Sequence, residues 1–282
     1  VYFIQKDNFQ FFESLNRVYL KLKLFNESIQ IIQNRLSIFP NDITSIGLLG
    51  VTYYQAGKEE ETFKLWNDAL KEQPTNLIYY RILANYALEL RLFDKAIDIL
   101  QKGKANTAEA RIFSYDLAHL YSLTMRFKEA AEEYIEIINF DPNQVIVIQS
   151  RILSYINKPE ALVPTIQVFQ KSNFKENNGL GHLLAALYVE NNQFVEAFEL
   201  LKLLDKKFSL NGQEVFQFAT RMSGLNQYRL ASNSFEYLLS EYPYSNMISN
   251  FRLNYAKNLE AELNYEFIKN NPTWKEDRKS VV

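Results

Sequence analysis

Two histidines, His119 and His182, are the only imidazoles in the chain, and they stand 63 residues apart. Neither belongs to an HExxH-type pair, and there is no cysteine, so zinc finds no ligand set at metal-binding spacing. The lack of cysteine also removes disulfides and thiol nucleophiles. No glycine-rich phosphate loop and no GxSxG elbow occurs. The carboxylate cluster "KEEE", Lys58 to Glu61, falls where a helix begins. Acids there complement the helix dipole, so the cluster reads as a solvated helix start rather than an acid–base pair. "NES", Asn26 to Ser28, forms a glycosylation sequon short enough to arise by chance. The expectation is a protein that is not an enzyme and needs neither cofactor nor metal.

The elements that would position these residues repeat along the chain. Pro74 follows Pro40 by 34 residues, and Pro142 follows Pro74 by 68. Frames of 34 residues start at Phe9, Ile43, Leu77 and Arg111. Slots four, seven, eight and eleven hold Phe12, Leu15, Asn16 and Tyr19 in the first frame, then Ile46, Leu49, Gly50 and Tyr53 in the second. The third holds Tyr80, Leu83, Ala84 and Ala87, and the fourth Ser114, Leu117, Ala118 and Tyr121. Spacings of three and four place these side chains on one helical face. Slots 20, 24 and 32 hold Ser28, Ile32 and Pro40; Thr62, Trp66 and Pro74; Ala96, Leu100 and Ala108; Ala130, Tyr134 and Pro142. Each frame therefore predicts helix, turn, helix and a second turn that proline usually marks. Asp42 and Asn76 are placed to cap the following helices, and Asn143 is a third candidate.

Past residue 144 the phase slips by one and resumes in frames at Asn178 and Gly212. The predicted organisation is a lead-in over 1–8, repeats 1–4 over 9–144 and a degenerate fifth repeat over 145–177 with a shortened or kinked second helix. Repeats 6–7 follow over 178–245, then a capping helix over 246–270 and a tail over 271–282. A two-helix unit cannot bury its apolar faces alone, so stacked neighbours complete the core.

The bulk numbers agree with an all-helical chain. Gly (8) and Pro (7) are scarce for 282 residues, against an all-β fold with its many turns. With 47% apolar residues the chain can bury a sizeable core. Lys+Arg (31) and Asp+Glu (33) nearly cancel, and no basic block offers a footprint for nucleic acid. No apolar run approaches the ~20 residues that span a bilayer. The chain begins at Val1 rather than Met, which fits a removed N-terminus, so the compartment stays open between cytoplasm and, after loss of an export signal, periplasm. Richness in Asn, Lys, Ile, Phe and Tyr hints at a bacterium with an AT-rich genome.

These slots resemble the tetratricopeptide repeat (TPR), a 34-residue helix-turn-helix. The second frame matches best, through Ile46, Leu49, Gly50, Tyr53, Gly57, Trp66, Ala69 and Pro74. Departures are Asn16 for a small residue, Ser28 and Thr62 for Ala, and Ala108 for Pro. The resemblance covers residues 9 to 245 and implies an all-α fold: an α-solenoid, a right-handed superhelix of about seven TPR units closed by a C-terminal helix. It also implies that slots two, five, nine and twelve of the first helices line a concave face. The partner-binding candidates on that rule are Arg17, Tyr54, Ile78, Arg81, Asn85, Leu88, Tyr115 and His119, a mixture suited to a peptide or helix. A two-carboxylate clamp of the kind some TPR domains use is disfavoured: Arg81 and Asn85 start it, but Asp116 replaces the next Asn, and Ile146 and Ser150 occupy the basic slots. The expected function is a protein–protein interaction scaffold that holds a partner's peptide or helical segment in its concave groove. The alternative is a regulatory or substrate-docking part of a larger enzyme or of a secretion or assembly component. Partner identity and oligomeric state are not encoded in these patterns.

Overall fold

A computed structural model describes residues 9–270. The expected lead-in and tail lie outside the described residues. Fifteen α-helices and one 3₁₀ turn occur there, with no strand among the described residues, so the fold is all-α, of the helical-repeat class expected. Two compact units are present, divided after Ile137.

In the first unit the helices pair as α1 (Phe9–Lys21) with α2 (Phe25–Ile38), α3 (Ile43–Gln55) with α4 (Glu59–Glu72), and α5 (Leu77–Glu89) with α6 (Phe93–Asn106); α7 (Ile112–Leu123) and α8 (Phe127–Phe140), whose last turn passes the division, follow. The second helices start at Phe25, Glu59, Phe93 and Phe127, each 34 residues after the last. Asp42 caps α3 by accepting from the Thr44 and Ser45 N–H groups (3.2 and 3.3 Å), and Asn76 caps α5 through the Ile78 N–H (3.1 Å). Asn143 does not act as a cap. Asp141 does, because it stands before the Pro142–Gln144 turn and its carboxylate can reach the Asn143 N–H at 3.1 Å.

The slot residues make the helix pairs close. Gly50 admits the indole of Trp66: a Cβ at position 50 would lie 2.0 Å from Nε1. Ala84 and Ala118 are buried, as are Ala96 and Ala130 in the second helices of the same frames and Ser28 and Thr62 at that slot in the first two. Substituting Trp for Ala84 or Ala118 is expected to overpack these contacts and lower stability by about 1–3 kcal/mol or more, read as a fall in Tm; an unchanged Tm would refute the packing account. Asn16 departs from the small-residue rule for a reason visible here. Ser28 Oγ donates to Asn16 Oδ1 at 2.5 Å and lies 3.1 Å from Thr52 Oγ1, so a buried polar chain replaces apolar contact between α1, α2 and α3.

The second unit contains α9 (Val145–Leu153), α10 (Leu162–Lys171), α11 (Asn178–Glu190), α12 (Phe194–Phe208), α13 (Gln213–Gly224), α14 (Tyr228–Glu241) and α15 (Ile248–Asn270). α9 and α10 have only 9 and 10 residues. Pro164 lies in the first turn of α10, where its missing N–H costs no helical bond. α15 packs on α13 and α14 through Phe251, whose ring stands 5.3 Å from that of Phe216. Buried Asn258 pins it further, donating to the Tyr228 carbonyl (3.0 Å) and to Ser232 Oγ (2.9 Å).

Candidate functional site

The first helices of unit 1 carry every partner-binding residue expected from the repeat. Arg81 and Asp116, 35 residues apart, are brought together: Arg81 Nε donates to Asp116 Oδ2 at 3.0 Å, linking α5 to α7. Both side chains are exposed enough for water to screen the pair, which holds the guanidinium in place more than it stabilises the fold. Arg17 pairs with Glu13 one turn earlier at 3.1 Å. Tyr54 is half-buried, with its ring 6.4 Å from Phe63 of α4. Leu88 and Tyr115 are half-buried too, while Ile78, Asn85 and His119 are exposed.

Sequence reasoning missed Tyr86 on this unit. Gly47 leaves room for its ring; a Cβ at position 47 would stand 2.1 Å from it. Burial, followed by the carboxylates of Glu89, Glu13 and Asp42, pushes the Tyr86 phenol well above its ordinary range. Glu89 is also raised, by burial and then by Glu13. The signal in the sequence was a glycine at slot five of the second frame, where side-chain space is open to a neighbour.

Unit 2 holds a groove of about 1190 Å³ that none of the expected residues lines. α9 contributes Ile146 and Gln149, and α11 contributes Gly179, His182, Ala186 and Val189. These stand at slots two and five of a frame begun at Val145, and at two, five, nine and twelve of the frame begun at Asn178. The rule applied to the first four repeats therefore also points to this groove when carried past the slip. α13 adds Glu214, Gln217 and Arg221, one position round the helix from those slots.

Local sequence builds the groove. Asn177 caps α11 by accepting from the Leu180 N–H at 3.3 Å, while its own Nδ2 donates to Asn139 Oδ1 at 3.2 Å. Gly179 lets α9 approach, since a Cβ there would meet Val145 at 2.4 Å. Asn178 Oδ1 is buried without a hydrogen-bond partner among the described residues. His182 Nδ1 lies 3.4 Å from Glu214 Oε2, a loose contact. Burial holds the His182 imidazole below the ordinary histidine range, and Glu214 offsets only part of that shift. Arg221 is matched to Glu190 at 2.6 Å, and Glu176 to Lys207 at 2.5 Å. Neither unit assembles a nucleophile–base pair from these groups; what they present is surfaces of mixed polarity on paired helices. No group of three or more metal-ligating side chains occurs among the described residues, and no helix among them is long and apolar enough to cross a membrane.

Helical hairpins on a 34-residue period, with small residues at the helix contacts, define the class: an all-α array of helical repeats, the architecture that the tetratricopeptide resemblance implies. No protein-family model matches the chain, and no curated protein does. Among solved structures, the chain is similar to one of Naa15/Naa10 bound to HypK-THB, at 16% identity and a TM-score of 0.38. That match covers 93% of this chain, which spans 42% of the length of the other. It is similar to a putative kinesin light chain with nearly identical TPR-like repeats from Podosopora anserina, at 18% identity over 70% of this chain and 92% of that one, with a TM-score of 0.32. It is also similar to pilF of Pseudomonas aeruginosa, at 13% identity over 87% and 96% of the two chains, with a TM-score of 0.33.

Proposed function

We propose that this protein is a non-enzymatic interaction scaffold, and that it holds a peptide or helical segment of a partner protein against the first-helix faces of its repeats. The observation that carries this reading is the groove in unit 2, about 1190 Å³ in volume and walled by three first helices. Its lining combines apolar Ile146 and Val189 with the amides of Gln149 and Gln217. Amide side chains both donate and accept, so they suit the peptide groups of an extended chain. Apolar neighbours suit its side chains. The first-helix residues of unit 1, led by Arg81 and Asn85, form a second contact face in this proposal. The Arg81–Asp116 pair leaves the remaining guanidinium N–H groups to face a partner.

The test is selection of binding peptides from a randomised phage-displayed library, followed by affinity measurements on two variants. Gln217→Trp fills the groove from an exposed position. Arg81→Ala/Asn85→Ala strips the unit 1 face. Each is expected to lose about tenfold or more in affinity for peptides that use its face, with stability held within about 0.5 kcal/mol. Peptides that bind both variants as tightly as the parent would place the site elsewhere. A selection that yields no binder would sink the scaffold reading.

A further inference from the structure

We propose that the unit 2 groove selects a partner segment bearing a lysine or arginine, whose cation pairs with Glu214. The inference rests on the groove being a binding site, as proposed above, and adds the chemistry of its occupant. It follows from a count of charges. Four ionisable groups line the groove: Glu176, His182, Glu214 and Arg221. Glu176 is matched by Lys207 at 2.5 Å, and Arg221 by Glu190 at 2.6 Å. Among the described residues, Glu214 has no ion-pair partner but His182, at 3.4 Å. Burial lowers the imidazole's affinity for a proton, so near neutral pH His182 offers Glu214 no positive charge. The groove is thus left with one carboxylate in excess. Acceptors are also in surplus, because Asn178 Oδ1, one helical turn before His182, finds no donor among the described residues. A cationic side chain brings the missing charge together with several N–H donors.

The same geometry makes the preference depend on pH. Protonated His182 would itself supply the cation beside Glu214 and compete with the incoming one. Every charged group facing His182 takes part in this balance. Glu214 and Arg221 line the groove from α13, Glu190 lies on α11 and is engaged by Arg221, and α9 presents to the groove the uncharged Val145, Ile146 and Gln149. Affinity for a cationic segment therefore falls as pH drops through the His182 titration.

The experiment compares two pools of short peptides, identical but for a central lysine or a central norleucine, with no other charged residue. At about pH 7.5 the intact chain is expected to hold the lysine pool about tenfold more tightly. Glu214→Gln should erase that preference, bringing the lysine pool down to the affinity of the norleucine pool. On stepwise acidification the parent should lose the preference as His182 takes up its proton, and His182→Gln, which cannot be protonated there, should keep it. Equal binding of both pools by the parent, with Gln217→Trp blocking both, would overturn the charge selection while leaving the groove as a site. Failure of both pools to bind would overturn both proposals. The same pH course in the parent and in His182→Gln would overturn the competition by His182.

Discussion

Replacing Trp66 with alanine is expected to remove about 3–5 kcal/mol of stability from unit 1. The indole is fully buried between α3 and α4 and fills the space that Gly50 leaves open. Its removal forfeits the transfer of a large aromatic from water and leaves a cavity that rigid helices collapse into only in part. Phe63, edge-on at 6.4 Å, loses a ring partner as well. The hairpin affected lies between its neighbours in the unit, and α3 contacts both α2 and α5. In a stacked array each hairpin is stabilised by those beside it, so the loss should also reduce cooperativity. Urea unfolding followed by far-UV circular dichroism is the measurement. A lower midpoint with a broader transition is expected, and a cost below about 1 kcal/mol would refute the packing account. Gly50→Val should act through the same contact from the other side, because its side chain has no room beside the indole.

The second large effect is expected in unit 2, at Asp205. This residue is fully buried near the end of α12, and its carboxylate accepts three hydrogen bonds. Gly212 N–H donates to Oδ1 at 2.7 Å, Tyr237 O–H donates to Oδ2 at 3.0 Å, and Tyr242 O–H donates to the same oxygen. One side chain thereby fixes the left-handed turn at Ser209, Asn211 and Gly212 and ties it to α14 and to Tyr242 just beyond. Asp205→Ala leaves three donors without their acceptor and should cost about 2–4 kcal/mol, discounted because the tyrosine hydroxyls are only half-buried and can turn to water. Chemical denaturation of the variant against the parent measures it; a loss under about 1 kcal/mol would show that the turn holds without the carboxylate.

The same cluster sets an alkaline limit. Burial, then the hydrogen bond to Asp205, pushes the Tyr242 phenol up to about 12, and Tyr237 moves in the same direction. A raised folded-state value means that the neutral phenol is the form the fold prefers. Its stabilising contribution is whole below the unfolded value of about 10 and is lost as pH rises through the folded value of about 12. Thermal melts taken across that window should show a falling Tm in the parent and a shallower fall in Asp205→Ala.

The periodic spacing of apolar and small residues was enough to establish the all-α repeat, because a helix turns a fixed angle per residue and so writes its buried face into the chain. The capping roles of Asp42 and Asn76 were legible for a similar reason: a cap acts on N–H groups two or three residues away. The turns inside the hairpins were less so. Lys23, Gly57, Arg91, Met125, Asn192 and Asn226 all adopt positive φ, and the residue after each closes an N–H···O bond of 2.8–2.9 Å back to the preceding helix. Gly57 announces that conformation, and Asn192 and Asn226 tolerate it; at Lys23, Arg91 and Met125 the packing of the two helices imposes it on residues that disfavour it.

Function depended more on what lies far apart in the chain. The first-helix rule named residues of unit 1, but it could not say that Arg81 would be held by Asp116, or that Gly47 would admit Tyr86. Nor did it pair His182 with Glu214 across 32 positions, or gather Tyr237 and Tyr242 around Asp205. The sequence by itself determined which small and apolar side chains of each helix are buried against its partner, since that follows from local geometry. Only the tertiary structure decided which offered side chains meet, because that depends on how neighbouring helices are set against one another and on side-chain rotamers, and neither is written in the spacing of residues along one helix.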